Sequence, residues 1–234
     1  TLLFGDVRSM PAHYTHDYQL LQRLLPSDLY IRLASANDLA ALRRLEEFQP
    51  APLQASDATL LRRIRQHPRG QFVAVASTTD ELIGAVYTQR LVAENALLNQ
   101  CSELELELHC DGGPIVQLLG LVVNAGVKAG VGGVGIALRD FVLGQAHGDA
   151  TVRSICGVTR CREFNPAGNL TYEEHVRSGN DRGLQFHLSG GATLIQVAHG
   201  YRRADVENAT NGVLIRYETS RPAVKLLETQ QTRA

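Results

Sequence analysis

The 234-residue chain contains no tryptophan and almost no net charge: 23 Lys and Arg stand against 24 Asp and Glu, a formal charge of −1. That balance excludes the basic footprint of a nucleic-acid binder and a basic membrane anchor, so neither nucleic acid nor a membrane is an expected partner. No apolar run approaches the ~20 residues of a membrane span, and no charged-then-apolar N-terminus reads as a signal peptide. The four cysteines, at 101, 110, 156 and 161, show no CxxC spacing and no matching histidine pair. No metal site is therefore expected, and the thiols read as reduced residues of a cytoplasmic protein. Repeats and low-complexity tracts are also lacking. A chain that starts at Thr1 is expected to be cut from a longer polypeptide.

What is present is ordinary for a globular protein, with 44% hydrophobic and 20% charged residues, enough for one medium domain with an N-terminal segment or a small subdomain. Residues 1–28, with Pro11 and Pro26, read as a leader or linker, and 29–234 as the domain. The sequence LYIRLA alternates as a strand over 29–34. Ser35 or Asn37 can cap a helix from Asp38 to about Phe48, and Ser56 and Asp57 start a second with Leu60, Leu61 and Ile64 at helical spacing. Two strands, 71–77 and 81–91, flank the polar turn Thr78 to Asp80, a hairpin signal. In 93–113 the alternation of Glu103, Glu105 and Glu107 with Leu104, Leu106 and Leu108 suggests a half-exposed strand, although Glu and Leu also favour helix. The mostly apolar 114–123 reads as a strand buried on both faces. A helix from about Val134 to Gln145 has the inner stripe Val134, Leu138, Phe141 and Val142, and 154–161 is another strand. A short helix near Tyr172 to Val176 follows, and 183–201 leads into a last strand, 212–218. The pattern is a mixed α/β sheet with helices on it.

The stretch GVGGVG, 130–135, after a buried strand and at the head of a helix, carries the most information. Glycines let backbone N–H groups approach an anion, and a helix N-terminus adds unsatisfied donors. A P-loop would end in Gly-Lys followed by Ser or Thr, whereas this loop ends in Gly-Ile-Ala. A dinucleotide fingerprint belongs to an early βαβ unit, and this loop comes after a meander of strands. A phosphate cradle and a plain glycine-rich connection both remain open on these grounds.

At these residues the chain resembles the GNAT acyltransferases. The order of elements matches from about 29 to 218, and that family's pyrophosphate loop, Q/R-x-x-G-x-G/A, overlays Gly130, Val131, Gly132, Gly133, Val134 and Gly135, with Gly130 in place of Gln or Arg. Four further pieces, PIVQLLGLVVN, CGVTRC, FHLSGGA and YRRADVENATNGVLIRYE, look like the GNAT-like loading domains of modular polyketide synthases of the curacin type. The resemblance implies an α/β GNAT fold: a mixed, mostly antiparallel sheet splayed around a coenzyme A or pantetheine arm, with helices on both faces. Leu121, Val122 and Val123, with Asn124, would line that arm. Implied partners are an acyl carrier protein and flanking polyketide synthase domains.

The activity so implied is loss of CO₂ from a malonyl-type thioester, malonyl, methylmalonyl or dimethylmalonyl, on CoA or carrier protein. Alternatives are S-acyl transfer from CoA to a carrier protein, ordinary N-acetyl transfer, or a silent acyl-CoA-binding module. Decarboxylation leaves an enolate, so donors must meet the thioester oxygen. The resemblance assigns this to Thr159 and His187, the histidine standing where ordinary GNAT enzymes carry a tyrosine acid. With an ordinary pKa of ~6.5, that imidazole would move a proton near neutrality. Arg202 is the third catalytic candidate, and Arg203 could do the same by holding a carboxylate. Such domains place a tryptophan near 48–54; Phe48 or Gln49 would fill that space here. Between Gly112 and Arg139 there is no Asp or Glu to serve as an amine's base, which lowers the N-acetyltransferase reading.

Overall fold

The computed structural model describes residues 28–126 and 133–219. The expected leader up to residue 27, and Gly130, Val131 and Gly132 of the glycine loop, lie outside the described residues.

A seven-stranded sheet carries the fold. In chain order its strands are β1 (Leu29–Leu33), β2 (Gln71–Ala76), β3 (Leu82–Leu91), β4 (Ile115–Val123), β5 (Ser154–Thr159), β6 (Thr193–Ala198) and β7 (Gly212–Glu218). The helices are α1 (Leu39–Glu46), α2 (Asp57–Gln66), α3 (Gly133–Gly148), α4 (Tyr172–Ser178) and α5 (Arg182–Leu188). Strand order is β1-β2-β3-β4-β5-β7-β6, and only the β4–β5 pair is parallel. The GNAT-type mixed sheet with helices on both faces is thus present.

Period-two alternation decides which residue meets which helix. In β2, Val73 and Val75 join a core with Leu42 and Leu45 of α1 and Leu60 and Ile64 of α2. Phe72 and Ala74 face the other way, into the stripe Val134, Leu138, Phe141 and Val142 of α3. All four stripe residues are buried, and Phe72 meets Phe141 edge-on at 5.1 Å. Each such side chain contributes about 1.5–3 kcal/mol by leaving water. A Cβ on Gly84 would stand 2.8 Å from Val134 Cγ1 and 2.9 Å from Leu138 Cδ1, so glycine in β3 lets α3 close on the sheet.

Local signals hold where they are short-ranged. Ser56 Oγ accepts from Thr59 N at 3.2 Å and caps α2. At α1, a 3-10 turn over Ala36–Asp38 precedes the helix; Ser35 N donates to Asp38 Oδ2, and Asn37 is not the capping residue. The β2–β3 turn bends through Asp80 at φ 57°.

The 93–113 segment corrects the alternation reading. It forms 3-10 turns at Glu94–Asn99 and Glu105–Leu108, and no strand. Leu104 is 49% exposed while Glu105 is buried. A carboxylate turns inward because Tyr201 and Gln117 donate to it, whereas an alternating strand would have sent it to water. The span 183–201 resolves into α5 and the edge strand β6, two elements the sequence pattern ran together.

Candidate active site

The parallel pair opens the sheet. β4 and β5 are hydrogen-bonded from Ile115 and Ser154 only as far as Leu118 and Gly157, and then part. Leu119 is an extra residue opposite β3, where the register shifts between Tyr87 and Thr88, so β4 bends there. The gap between the strand ends opens into a cleft of 960 Å³. Its walls include Leu121, Val122 and Val123 of β4, Gly135 of α3, Thr159 at the end of β5, His187 of α5, and Arg202. The expected arm-lining strand and the three catalytic candidates therefore share one cavity. Arg203 is exposed and is not among the lining residues, which separates it from Arg202. Val134, by contrast, is spent in the core under the helix. Gly133 opens α3 at φ 72°, a left-handed conformation that favours glycine.

Phe48 and Gln49 both line this cleft, and Gln49 Nε2 donates to the Leu121 carbonyl at 3.1 Å. Glutamine thus ties the loop after α1 to the strand that parts from β5.

His187 is half-buried in the wall, and its Nδ1 lies 2.7 Å from the Tyr217 hydroxyl. Burial, then the nearby Arg139 and Arg162 guanidinium groups, push its pKa down to about 4. The ring is neutral through the physiological range, which departs from a histidine titrating near neutrality. Burial also raises the Tyr217 phenol pKa, keeping that hydroxyl protonated. Arg139 locks the neighbouring turn: it donates to the Phe186 carbonyl and stacks 4.9 Å over the Phe186 ring.

Thr159 Oγ1 has only a 3.5 Å contact with the Arg160 carbonyl, so its hydroxyl is loosely engaged. One residue earlier, the Val158 carbonyl accepts from Arg202 Nη2 at 2.9 Å. Arg160 is held by Asp205 through two hydrogen bonds, of 2.8 and 3.0 Å, which fixes the strand end on the segment carrying Arg202.

Sequence reasoning missed a polar group in the same cleft: Glu46, Arg63, Tyr87 and Glu105. Glu105 accepts from Gln117 Nε2 at 3.1 Å and from the Tyr201 hydroxyl. Arg63 reaches it at 4.0 Å and lies 4.8 Å over the Tyr87 ring. Burial raises the pKa of both Glu46 and Glu105. These residues come from distant elements, and no spacing in the chain announces them.

Among the described residues one further cluster, Cys161, His175 and Asp181, brings ligand-type atoms within 4.8 Å of one another. Its carboxylate is already engaged by the N–H groups of Gly183, Leu184 and Glu163 and by His175, so it caps α5. No helix among the described residues is long and apolar enough to cross a membrane.

No family model matches the sequence and no curated protein matches it. Solved structures do. The GphF GNAT-like decarboxylase, in complex with isobutyryl-CoA, is 37% identical over 81% of this chain and 99% of its own, with a TM-score of 0.76. The loading GNATL domain of CurA from Lyngbya majuscula is 30% identical over 82% of this chain and 98% of its own, also at 0.76. Ard1 from Thermoplasma volcanium, at 14% identity over 83% of this chain and 99% of its own, shares the fold with a TM-score of 0.57. A sheet that parts between β4 and β5, and a likeness at 30% identity or more over four-fifths of the sequence, lead to one statement: the chain belongs to the GNAT superfamily and, within it, to the GNAT-like decarboxylases and polyketide loading domains.

Proposed function

We propose that the domain removes CO₂ from a malonyl-type thioester, carried by CoA or by the pantetheine arm of an acyl carrier protein, to supply a polyketide starter unit. The observation that carries this reading is the single cleft at the parted strands, which holds Thr159, His187 and Arg202 beside the strand expected to bind the arm. The arm runs along Leu121, Val122 and Val123, and its phosphate lies at the head of α3, by Gly133 and Gly135. The likeness to a GNAT-like decarboxylase supports the reaction type.

The C–C bond to the carboxylate breaks, its electron pair becomes the enolate, and CO₂ departs. Negative charge then grows on the thioester oxygen, where preorganised donors act most strongly. In the tautomer that fits this role the Tyr217 hydroxyl donates to His187 Nδ1, leaving the N–H on Nε2 to donate to that oxygen. The loosely engaged Thr159 hydroxyl is the second donor. A neutral imidazole suits this role because it keeps its proton while lowering the enolate's energy. The enolate carbon then takes one proton, ultimately from solvent. Arg202 holds the carboxylate before it leaves.

Isobutyryl is the acyl group that dimethylmalonyl leaves on losing CO₂, so the CoA ester bound by the GphF domain favours a branched substrate among the three. Incubating the domain with malonyl-, methylmalonyl- and dimethylmalonyl-CoA and their carrier-protein forms, with mass spectrometry of the thioester, tests the proposal. The expected result is loss of CO₂ from at least one of them, fastest for a branched thioester. Intact malonyl-type thioesters beside newly acylated carrier protein would instead establish an acyltransferase.

A further inference from the structure

The polar group that the proposed reaction does not use lies in the same cleft. Arg63 comes from α2, and its side chain is only 11% exposed. Its Nε is buried and meets no acceptor among the described residues, and the same holds for Arg202 Nε. Both side chains line the cleft with Thr159 and His187. Two guanidinium groups that line one cavity, each with a buried Nε that has no protein acceptor among the described residues, favour an anionic group beside them.

The acceptors already present do not complete them. Glu105 lies 4.0 Å from Arg63, beyond hydrogen-bond length, and spends Oε2 on Tyr201 and Gln117. Glu46 gives one oxygen to Ala55 N at 2.9 Å. Burial raises the pKa of both carboxyls, against the opposing pull of Arg63 on each and of Arg202 on Glu105. Arg202 is anchored to the Val158 carbonyl, next to Thr159 at the end of β5. Arg202 therefore adjoins the strand end where the thioester is proposed to react, and Arg63 lines the same cleft.

We propose that Arg63, with Arg202, forms a carboxylate-recognising end of this cleft, and that Arg63 sets the preference for acyl groups bearing a terminal carboxylate over neutral ones. This rests on the reading of the substrate as a malonyl-type thioester. A planar guanidinium matches a carboxylate through paired N–H donors, which a lone ammonium does not. The hold acts on the bound substrate before CO₂ leaves and adds nothing to the enolate oxygen. Arg63 thus affects KM more than kcat.

Two stable thioethers separate recognition from turnover: S-(2-carboxyethyl)-CoA, which copies the length of a malonyl group but has no thioester carbonyl, and neutral S-propyl-CoA. Isothermal titration of the wild-type domain is expected to show tighter binding of the carboxyethyl compound. Arg63→Gln is expected to weaken that compound alone by about 10–100-fold, the cost of a lost charged hydrogen bond, with propyl-CoA binding unchanged. Arg63→Lys, which keeps the charge beside Glu105 and Tyr87, is expected to recover part of the loss. Equal weakening of both thioethers in both variants would make Arg63 a support of the cleft wall, and no weakening of either would remove it from the ligand; either result overturns the proposal. A failed decarboxylase reading looks different: CO₂ release is missing while the wild-type preference for the carboxyethyl thioether persists.

Discussion

Replacing His187 with alanine lowers the rate of CO₂ release by about 10²–10³-fold, the usual cost of one preorganised donor at a developing oxyanion, with the KM for the thioester changed far less. The geometry supports a loss in the chemical step. His187 sits on α5, held by the Arg139 bond to the Phe186 carbonyl and by its own contact with Tyr217. Removing the imidazole leaves the Arg139 bond to the Phe186 carbonyl in place and deletes the donor together with its contact to Tyr217. The pH profile adds a second readout. With the pKa pushed down to about 4, His187 keeps one protonation state across neutrality. The wild-type rate is therefore expected to show no inflection from this residue near 6.5. Stability follows the opposite end of the scale. A folded-state pKa below the unfolded value means stability that is full above the unfolded pKa and lost as pH falls toward the folded one. His187 and the buried His67, also pushed down to about 4, both weaken the fold between roughly pH 6.5 and 4. A histidine acting as a charged acid would instead give a rate that falls as pH rises through 6.5.

Thr159→Val is expected to cost a similar ~10²–10³-fold in CO₂ release, and Thr159→Ser to retain most of it. Thr159 ends β5, opposite Val213 of β7, where the backbone ladder holds the strand whatever the side chain. Its hydroxyl has only the 3.5 Å contact to a neighbouring carbonyl to lose. Valine keeps the β-branched shape and removes the donor, whereas serine keeps the donor and removes a methyl group. Single-turnover measurements of CO₂ release, together with CoA binding, distinguish a lost donor from a disturbed cleft. If Thr159 and His187 act on one oxygen, the double variant falls less than the product of the single effects. A full rate in Thr159→Val would remove the hydroxyl from the mechanism.

Most of the frame was legible because its causes are local. Alternation placed β1, the hairpin signal placed β2 and β3, the apolar run placed β4, and the stripe from Val134 to Val142 placed α3. The motif pieces around Thr159 and His187 pointed to two residues that line one cleft. What escaped depends on partners far along the chain. Glu105 reads as one tooth of an alternating strand, yet its Tyr201 partner is 96 residues away. Gln49 touches a carbonyl 72 residues on. Arg63 looks like any solvated arginine of an amphipathic helix until Tyr87 and Glu105 are brought against it. The pKa of His187 was equally invisible, since it depends on burial and on Arg139 and Arg162 in space. Sequence pattern reports which face of an element is apolar, whereas polar contacts across the cavity are settled by tertiary packing.

The central claim concerns which bond breaks, and turnover in D₂O tests it most directly. The domain is mixed with its preferred malonyl-type thioester and a holo carrier protein, and the thioester's mass is followed against an enzyme-free control for background exchange. The predicted result is one deuteron fixed on the α-carbon for each CO₂ released, at a rate that collapses in His187→Ala and Thr159→Val. A malonyl-type group arriving intact on the carrier thiol, with no CO₂ released and no deuteron gained beyond the control, would contradict the account.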